Sequence, residues 1–188
     1  MLQSISLFLS RRRWRWLPTV VVLGATLACT PTYNWREMAA ADGAIQVAFP
    51  GKPGSETRTL QLADQALPFT LTAVAANGAT FAVGHVQVPA TAATADLGQA
   101  LIDSLVRHYP AAAVQQRQVS VRPLQPQRGQ ALSATEIRAD DPGNPALPRL
   151  LARVFQRDQR WIQVVAVGPA DRLSWETAAW FQDSVRLP

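Results

Sequence analysis

The sequence predicts an α+β domain with a mainly antiparallel sheet and two packed helices. Eight short segments combine alternating apolar residues with turn residues at their ends, and most connections between them have hairpin length. Two longer segments instead repeat apolar residues at helical spacing. The order along the chain is four strands, a helix, four strands and a helix. This order, with short connections, is typical of helices packed against an antiparallel sheet.

The predicted strands are bounded by turn signals. Asn77-Gly78, between the third and fourth strands, is the strongest short hairpin signal that a sequence offers. The last two strands are joined by the polar residues 157–160 and form a long hairpin. The eight strands are predicted over residues 44–49, 56–62, 67–75, 80–88, 114–122, 130–138, 150–156 and 161–167.

The two helices are predicted over residues 95–109 and 171–185. In each, every fourth residue falls on one face, and that face is mostly apolar. Pro110 supplies the end of the first helix. The residues that share a face are Leu97, Leu101, Leu105 and Tyr109 in the first helix and Leu173, Thr177, Phe181 and Val185 in the second.

The first part of the chain has the pattern of a secretory signal peptide. Four arginines precede an apolar run from Leu17 to Leu27, which ends in Ala28 and the only cysteine, Cys29. The run is shorter than the about 20 residues that a membrane-spanning helix needs. Thr26-Leu27-Ala28-Cys29 resembles the lipobox of bacterial lipoproteins. That resemblance implies cleavage between Ala28 and Cys29 and acylation of the Cys29 sulfur.

The predicted organisation is a signal peptide over residues 1–28, a lipid-anchored tether over 29–41 and a single α+β domain over 42–188. Stable anchoring takes two or more acyl chains, and the lipoprotein pattern implies them. Thr30 stands where an aspartate often keeps lipoproteins at the inner membrane. We therefore expect the periplasmic face of the outer membrane, with the inner membrane and a freely periplasmic location as alternatives.

Two aromatic residues of the tether are expected to pack onto the domain. Tyr33 and Trp35 follow Cys29 closely, and buried aromatic side chains contribute strongly to a core. The body of the protein would then lie close to the membrane.

The charge balance argues against a nucleic-acid partner. The whole chain has a formal charge of +5. Residues 1–28 contain four of the 18 basic residues and none of the 13 acidic ones, which leaves 14 basic and 13 acidic residues and a charge of +1 for the remainder. No charge excess is left to neutralise a run of phosphates.

No catalytic pattern is present in the sequence. The two histidines, His85 and His108, are not spaced as metal ligands, and there is no second cysteine. The serine nucleophile motifs GxSxG and SxxK are also missing. We predict no catalytic residue, no metal and no cofactor. A serine, a histidine and a carboxylate can still meet from distant positions, so a hydrolase stays an alternative.

The long hairpin carries the candidate interaction surface. One face is predicted to contact the helices through Leu150, Ala152, Val154, Ile162, Val164 and Ala166. The other face then presents Arg153, Phe155, Arg157 and Trp161. Arginine and aromatic side chains are the types that dominate binding hot spots. The alternative interpretation is that another part of the chain, such as the segment around Tyr33, covers these rings.

Several short motifs resemble known proteins. Residues 33–37 (YNWRE), 49–53 (FPGKP) and 78–84 (GATFAVG) are similar to a group of uncharacterised envelope lipoproteins of Gram-negative bacteria. The FPGKP turn, the late hairpin and residues 179–185 resemble bacterial domains of PsbP/Mog1-like architecture. PsbP-like proteins bind or help to assemble membrane complexes and are not generally enzymes. The resemblance assigns no functional residue.

These observations together predict a non-enzymatic lipoprotein, anchored in the outer membrane and facing the periplasm. It would act as an accessory or protein-binding module of the envelope, with the membrane and an envelope protein as its partners. The first alternative is a carrier or sensor of a small apolar or lipid ligand held between sheet and helices. The second is an envelope hydrolase.

Overall fold

The computed structural model describes residues 32–62, 65–88, 94–127 and 129–188. The predicted signal peptide, its cleavage site between Ala28 and Cys29 and the lipidation site at Cys29 lie outside the described residues.

The described residues form one sheet of ten strands with two α-helices. The strand order is β1-β2-β10-β6-β7-β8-β9-β5-β4-β3. The helices are α1 (Thr94–Val106) and α2 (Trp175–Asp183), and a 3-10 turn spans Ala111–Ala113. The strands are β1 (Arg36–Ala40), β2 (Ile45–Phe49), β3 (Gly54–Leu62), β4 (Gln65–Ala76), β5 (Ala79–Gln87), β6 (Val114–Pro123), β7 (Leu132–Ala139), β8 (Arg149–Arg157), β9 (Arg160–Gly168) and β10 (Arg186–Leu187).

The predicted α+β class with two helices is confirmed, and the sheet is mixed. Strand β10 pairs parallel with β6, and the other pairings among the described strands are antiparallel. Two strands were not predicted. Strand β1 falls inside the predicted tether, and its four exposed residues give no alternating apolar signal. Strand β10 has two residues and forms only because the chain returns between β2 and β6.

The β4–β5 hairpin forms where Asn77-Gly78 predicted it. Both residues have the positive φ that the favoured two-residue turn requires, 52° at Asn77 and 76° at Gly78. Helix α2 begins at Trp175, later than predicted, because Ser174 caps it. The Ser174 hydroxyl accepts a hydrogen bond from the backbone N–H of Thr177 at 3.0 Å.

Each face of the sheet is covered by one helix and carries its own core. On one face, α2 and the β1–β2 hairpin enclose four fully buried phenylalanines, Phe49, Phe81, Phe155 and Phe181. On the other, α1 buries Leu97, Leu101 and Ile102 against the sheet. Burying each side chain of this size stabilises the fold by about 1.5–3 kcal/mol. The turn after β1 also contacts His85 of β5, which shows how far the sheet curls.

The prediction of which residues of the long hairpin share a face is wrong. Leu150, Ala152 and Val154 lie in the α1 core, whereas Ile162, Val164 and Ala166 lie in the α2 core. The reason is the turn, in which Arg157 pairs directly with Arg160 across only two residues. Odd-numbered residues of β8 therefore share a face with even-numbered residues of β9, and both faces of the hairpin are buried.

Helix α1 approaches the sheet closely at Gly98. A Cβ atom added to Gly98 would lie 2.5 Å from Cη2 of the Trp161 side chain. The tryptophan ring therefore occupies the space that any larger residue at position 98 would need.

We predict that Gly98→Ala lowers the free energy of unfolding by about 1–3 kcal/mol, the cost of overpacking. An isolated helix would instead gain about 1 kcal/mol from this change. Urea unfolding followed by circular dichroism measures the difference. In a Trp161→Leu background the same substitution should be neutral or stabilising. A stabilising effect in the wild-type background would contradict this account of the packing.

Candidate interaction surface

The four hairpin residues predicted to share an exposed surface do not share one. Arg153 and Phe155 face α2 and are 9% and 1% exposed. Trp161 packs against the core on the other side of the sheet. Arg157 is half-buried and donates to the backbone carbonyl of Ala44. The alternative interpretation, in which another part of the chain covers these rings, is supported, and α2 covers Arg153 and Phe155.

Arg153 connects the sheet to the end of α2. Its Nε donates to Oε2 of Glu136 at 2.9 Å. Its Nη1 donates to the backbone carbonyl of Gln182 at 2.9 Å, and its Nη2 donates to Oδ1 of Asp183 at 2.8 Å. A planar guanidinium can satisfy three acceptors in fixed directions, which a lysine ammonium on a flexible stem does less well. The cation also lies at the helix C-terminus, where the helix dipole favours it.

Glu136 balances the positive charges of Arg117 and Arg153 beneath α2. It is 2% exposed and lies between Arg117 of β6 and Arg153 of β8 in the strand register. Arg117 Nε donates to its other oxygen, Oε1, at 2.8 Å. A buried carboxylate is tolerated only when charge and hydrogen bonds compensate for its lost hydration, and the two arginines supply both.

Gln182 adds a second connection between α2 and the sheet. Its side chain is fully buried, and Nε2 donates to the carbonyls of Leu151 at 3.0 Å and Val164 at 2.9 Å. The last turn of α2 is therefore hydrogen-bonded to both β8 and β9.

The outer side of α2 presents Trp180, which is 47% exposed. The Trp180 ring lies 4.1 Å from the ring of Trp35, centroid to centroid. Trp35 in turn meets Phe81 edge-on at 5.7 Å, and Tyr33 meets Phe81 at 6.0 Å. The prediction that Tyr33 and Trp35 pack onto the domain is confirmed.

An open depression of about 370 Å³ lies beside Trp180. Leu124, which is 46% exposed, also lines it, so two large apolar groups border the same opening. The charged residues that line this depression are Glu37, Asp183 and Arg186. We define the Trp180 surface as Trp180, Leu124, Glu37, Asp183 and Arg186, which line the depression, together with Trp35, which contacts Trp180.

The sequence contains a signal for this surface that the prediction did not use. The predicted apolar face of the last helix runs through Phe181. Trp180 is rotated by about 100° from that face, since an α-helix has about 3.6 residues per turn. A tryptophan off the apolar face of a helix has to be covered by another element or lie exposed.

Each of the two histidines contacts a neighbouring side chain in the described part of the chain. His85 is 6% exposed, and its Nε2 lies 3.0 Å from Oδ2 of Asp42. Its Nδ1 is buried and has no hydrogen-bond partner within the described residues. His108 is exposed and accepts a hydrogen bond from Arg107 at 3.0 Å. Neither has a serine hydroxyl as its partner in the part of the chain described.

Within the same residues, no group of three or more histidine, cysteine or acidic side chains could hold a metal ion. No helix among them is long and apolar enough to span a bilayer.

Comparison with known proteins gives a likeness in structure but none in sequence family. No protein-family model matches the chain. No curated protein matches it either. The chain resembles the solution structure of cyanobacterial PsbP (CyanoP) from Synechocystis sp. PCC 6803 at a TM-score of 0.44 and 14% identity, covering 88% of this chain and 99% of that one. No residue role is transferred from that protein.

We predict that Glu136→Gln lowers the free energy of unfolding by about 3 kcal/mol, because Arg153 then loses its buried carboxylate partner and keeps only the exposed Asp183 as a counter-charge. Denaturant unfolding of the purified protein measures this loss.

Asp183→Asn is the matched control, since Asp183 binds the same guanidinium but its side chain is 59% exposed. Its effect should stay within about 1 kcal/mol. Equal effects of the two substitutions would show that burial of Glu136 does not determine the strength of the network.

Proposed function

We propose that the protein is a lipid-anchored, non-enzymatic accessory module of the bacterial envelope that binds a partner protein through the Trp180 surface. The observation that carries this proposal is the half-exposed Trp180, packed against the ring of Trp35 beside an open depression. Exposed tryptophans bordered by polar groups are enriched where proteins bind one another.

The composition of the Trp180 surface suits a protein partner. Trp180 and Leu124 offer apolar area, and Glu37 and Arg186 offer one charge of each sign within the same opening. Arg186 already donates to the carbonyls of Asp183 and Val185, so its guanidinium is held in place. A surface of this kind can bury an apolar side chain and hydrogen-bond the adjoining backbone.

The lipid anchor would keep this surface near the membrane. Tyr33 lies four residues after Cys29, and this length of chain spans at most about 14 Å. Tyr33 contacts Trp35, which packs against Trp180. A partner of the Trp180 surface would therefore be a membrane protein or a protein held at the membrane, and we place it at the periplasmic face of the outer membrane.

The space between the sheet and each helix does not favour a bound small molecule. Beneath α2 it is filled by buried side chains that include Phe155 and Phe181, and beneath α1 by Leu97 and Leu101. The proposal is therefore a surface that binds a protein, in preference to an internal carrier site.

A photo-crosslinking residue at position 124, in the full-length protein expressed in cells, tests the proposal. We expect one discrete protein adduct, because Leu124 lines the depression and its replacement keeps Trp180. Trp180→Ala should reduce the adduct at least about tenfold, as expected for a hot spot worth about 2 kcal/mol.

The control substitution is Gln99→Ala on the exposed side of α1, which should leave the adduct unchanged. A crosslinker at position 99 should not give the same adduct. Adducts that do not depend on Trp180, or adducts with lipid alone, would contradict binding of a protein at this surface.

A further inference from the structure

Strand β3 is an exposed edge of the sheet. It is the last strand in the order, and residues 54–61 are exposed. Nine residues of extended chain present about 30 Å of backbone. The outer N–H and C=O groups of an edge strand are a template for pairing with another strand.

Several of the usual devices that block such an edge are missing from β3. It contains no proline and no lysine, and it pairs with β4 without a bulge from Gly54 opposite Ala73 to Leu62 opposite Gln65. Its two charges, Glu56 and Arg58, have opposite signs. Because these charges have opposite signs, they attract or repel a second copy of the same strand according to the register of pairing.

The spacing of these charges makes β3 complementary to itself. If two copies pair antiparallel about Thr57, Glu56 of each lies directly opposite Arg58 of the other. A two-fold axis at Glu56 or at Arg58 would instead place two like charges opposite each other. Directly opposite charges of opposite sign stabilise a strand pair and like charges destabilise it. One register is therefore favoured over its neighbours.

Both charges are present at neutral pH. Glu56 accepts a hydrogen bond from Arg58 Nε at 2.8 Å. This hydrogen bond, together with the positive charge of Arg58, lowers the pKa of the Glu56 carboxyl below its usual value.

The other groups of β3 fit the same register. On one face, Thr57 lies 2.8 Å from Thr70, hydroxyl to hydroxyl, so a second Thr57 would extend a row of hydroxyls across the junction. On the opposite face, the 37% exposed Leu60 would lie opposite Gly54 of the second copy, which has no side chain to obstruct it.

We propose that β3 pairs antiparallel with β3 of a second copy of the chain about a two-fold axis at Thr57, joining two sheets into one. This interface lies at the opposite end of the strand order from β1 and is independent of the Trp180 surface.

Two charge substitutions in the full-length protein in detergent test the pairing. Glu56→Arg places arginine opposite arginine, and Arg58→Glu places glutamate opposite glutamate. The dissociation constant of the dimer should be at least about tenfold higher for each variant alone than for wild type, because like charges meet at the interface. An equimolar mixture of the two should recover the dimer, since all opposite charges then match. Sedimentation over a range of concentrations measures each association.

Asp103→Arg on the exposed side of α1 is the control and should leave the dimer intact. Circular dichroism should show the same fold for all variants. A monomeric wild-type protein throughout the range would overturn the proposal, and it is the result expected if β3 binds a strand of a different protein. A dimer unaffected by either charge variant would overturn it as well.

Discussion

The position of α2 depends on one buried ion pair, between Glu136 and Arg153. The carboxylate lies under the helix with 2% of its residue surface exposed, and a second arginine, Arg117, binds its other oxygen. A charge so buried fixes the surrounding geometry, because any shift of its partners leaves it uncompensated. Since the same guanidinium binds Gln182 and Asp183, this constraint extends from the centre of the sheet to the end of the helix.

The Trp180 surface follows from that constraint. With Phe181 and Gln182 directed into the core, the neighbouring Trp180 lies on the outer side of α2. There it meets Trp35, which the chain places beside Phe81 just before β1. The buried network thus links the sheet, the helix and the segment nearest the predicted anchor. The free edge at β3 lies at the other end of the strand order, so one molecule offers two separate surfaces.

Local signals in the sequence predicted the local structure well. The apolar stripes that begin at Leu97 and Leu173, and the Asn77-Gly78 turn, act within a few residues, so they are visible without the fold. Strand β1 was not predicted because an edge strand can form through backbone hydrogen bonds alone, which leave no apolar pattern in the sequence. The burial of Arg153 could not be predicted, since it needs partners from β7 and α2 that are distant in sequence. Charged residues are usually exposed, and the hairpin prediction followed that rule.

Hydrogen exchange of wild type and Arg153→Lys tests most directly whether this network holds α2 in place. Lysine keeps the charge but lacks the rigid fork that reaches Glu136, Gln182 and Asp183 together. Exchange at the amides of α2 should accelerate about tenfold or more, while the β3–β4 hairpin keeps its wild-type rates. Unchanged protection of α2 would contradict the account, because the helix would then be held by its apolar contacts alone.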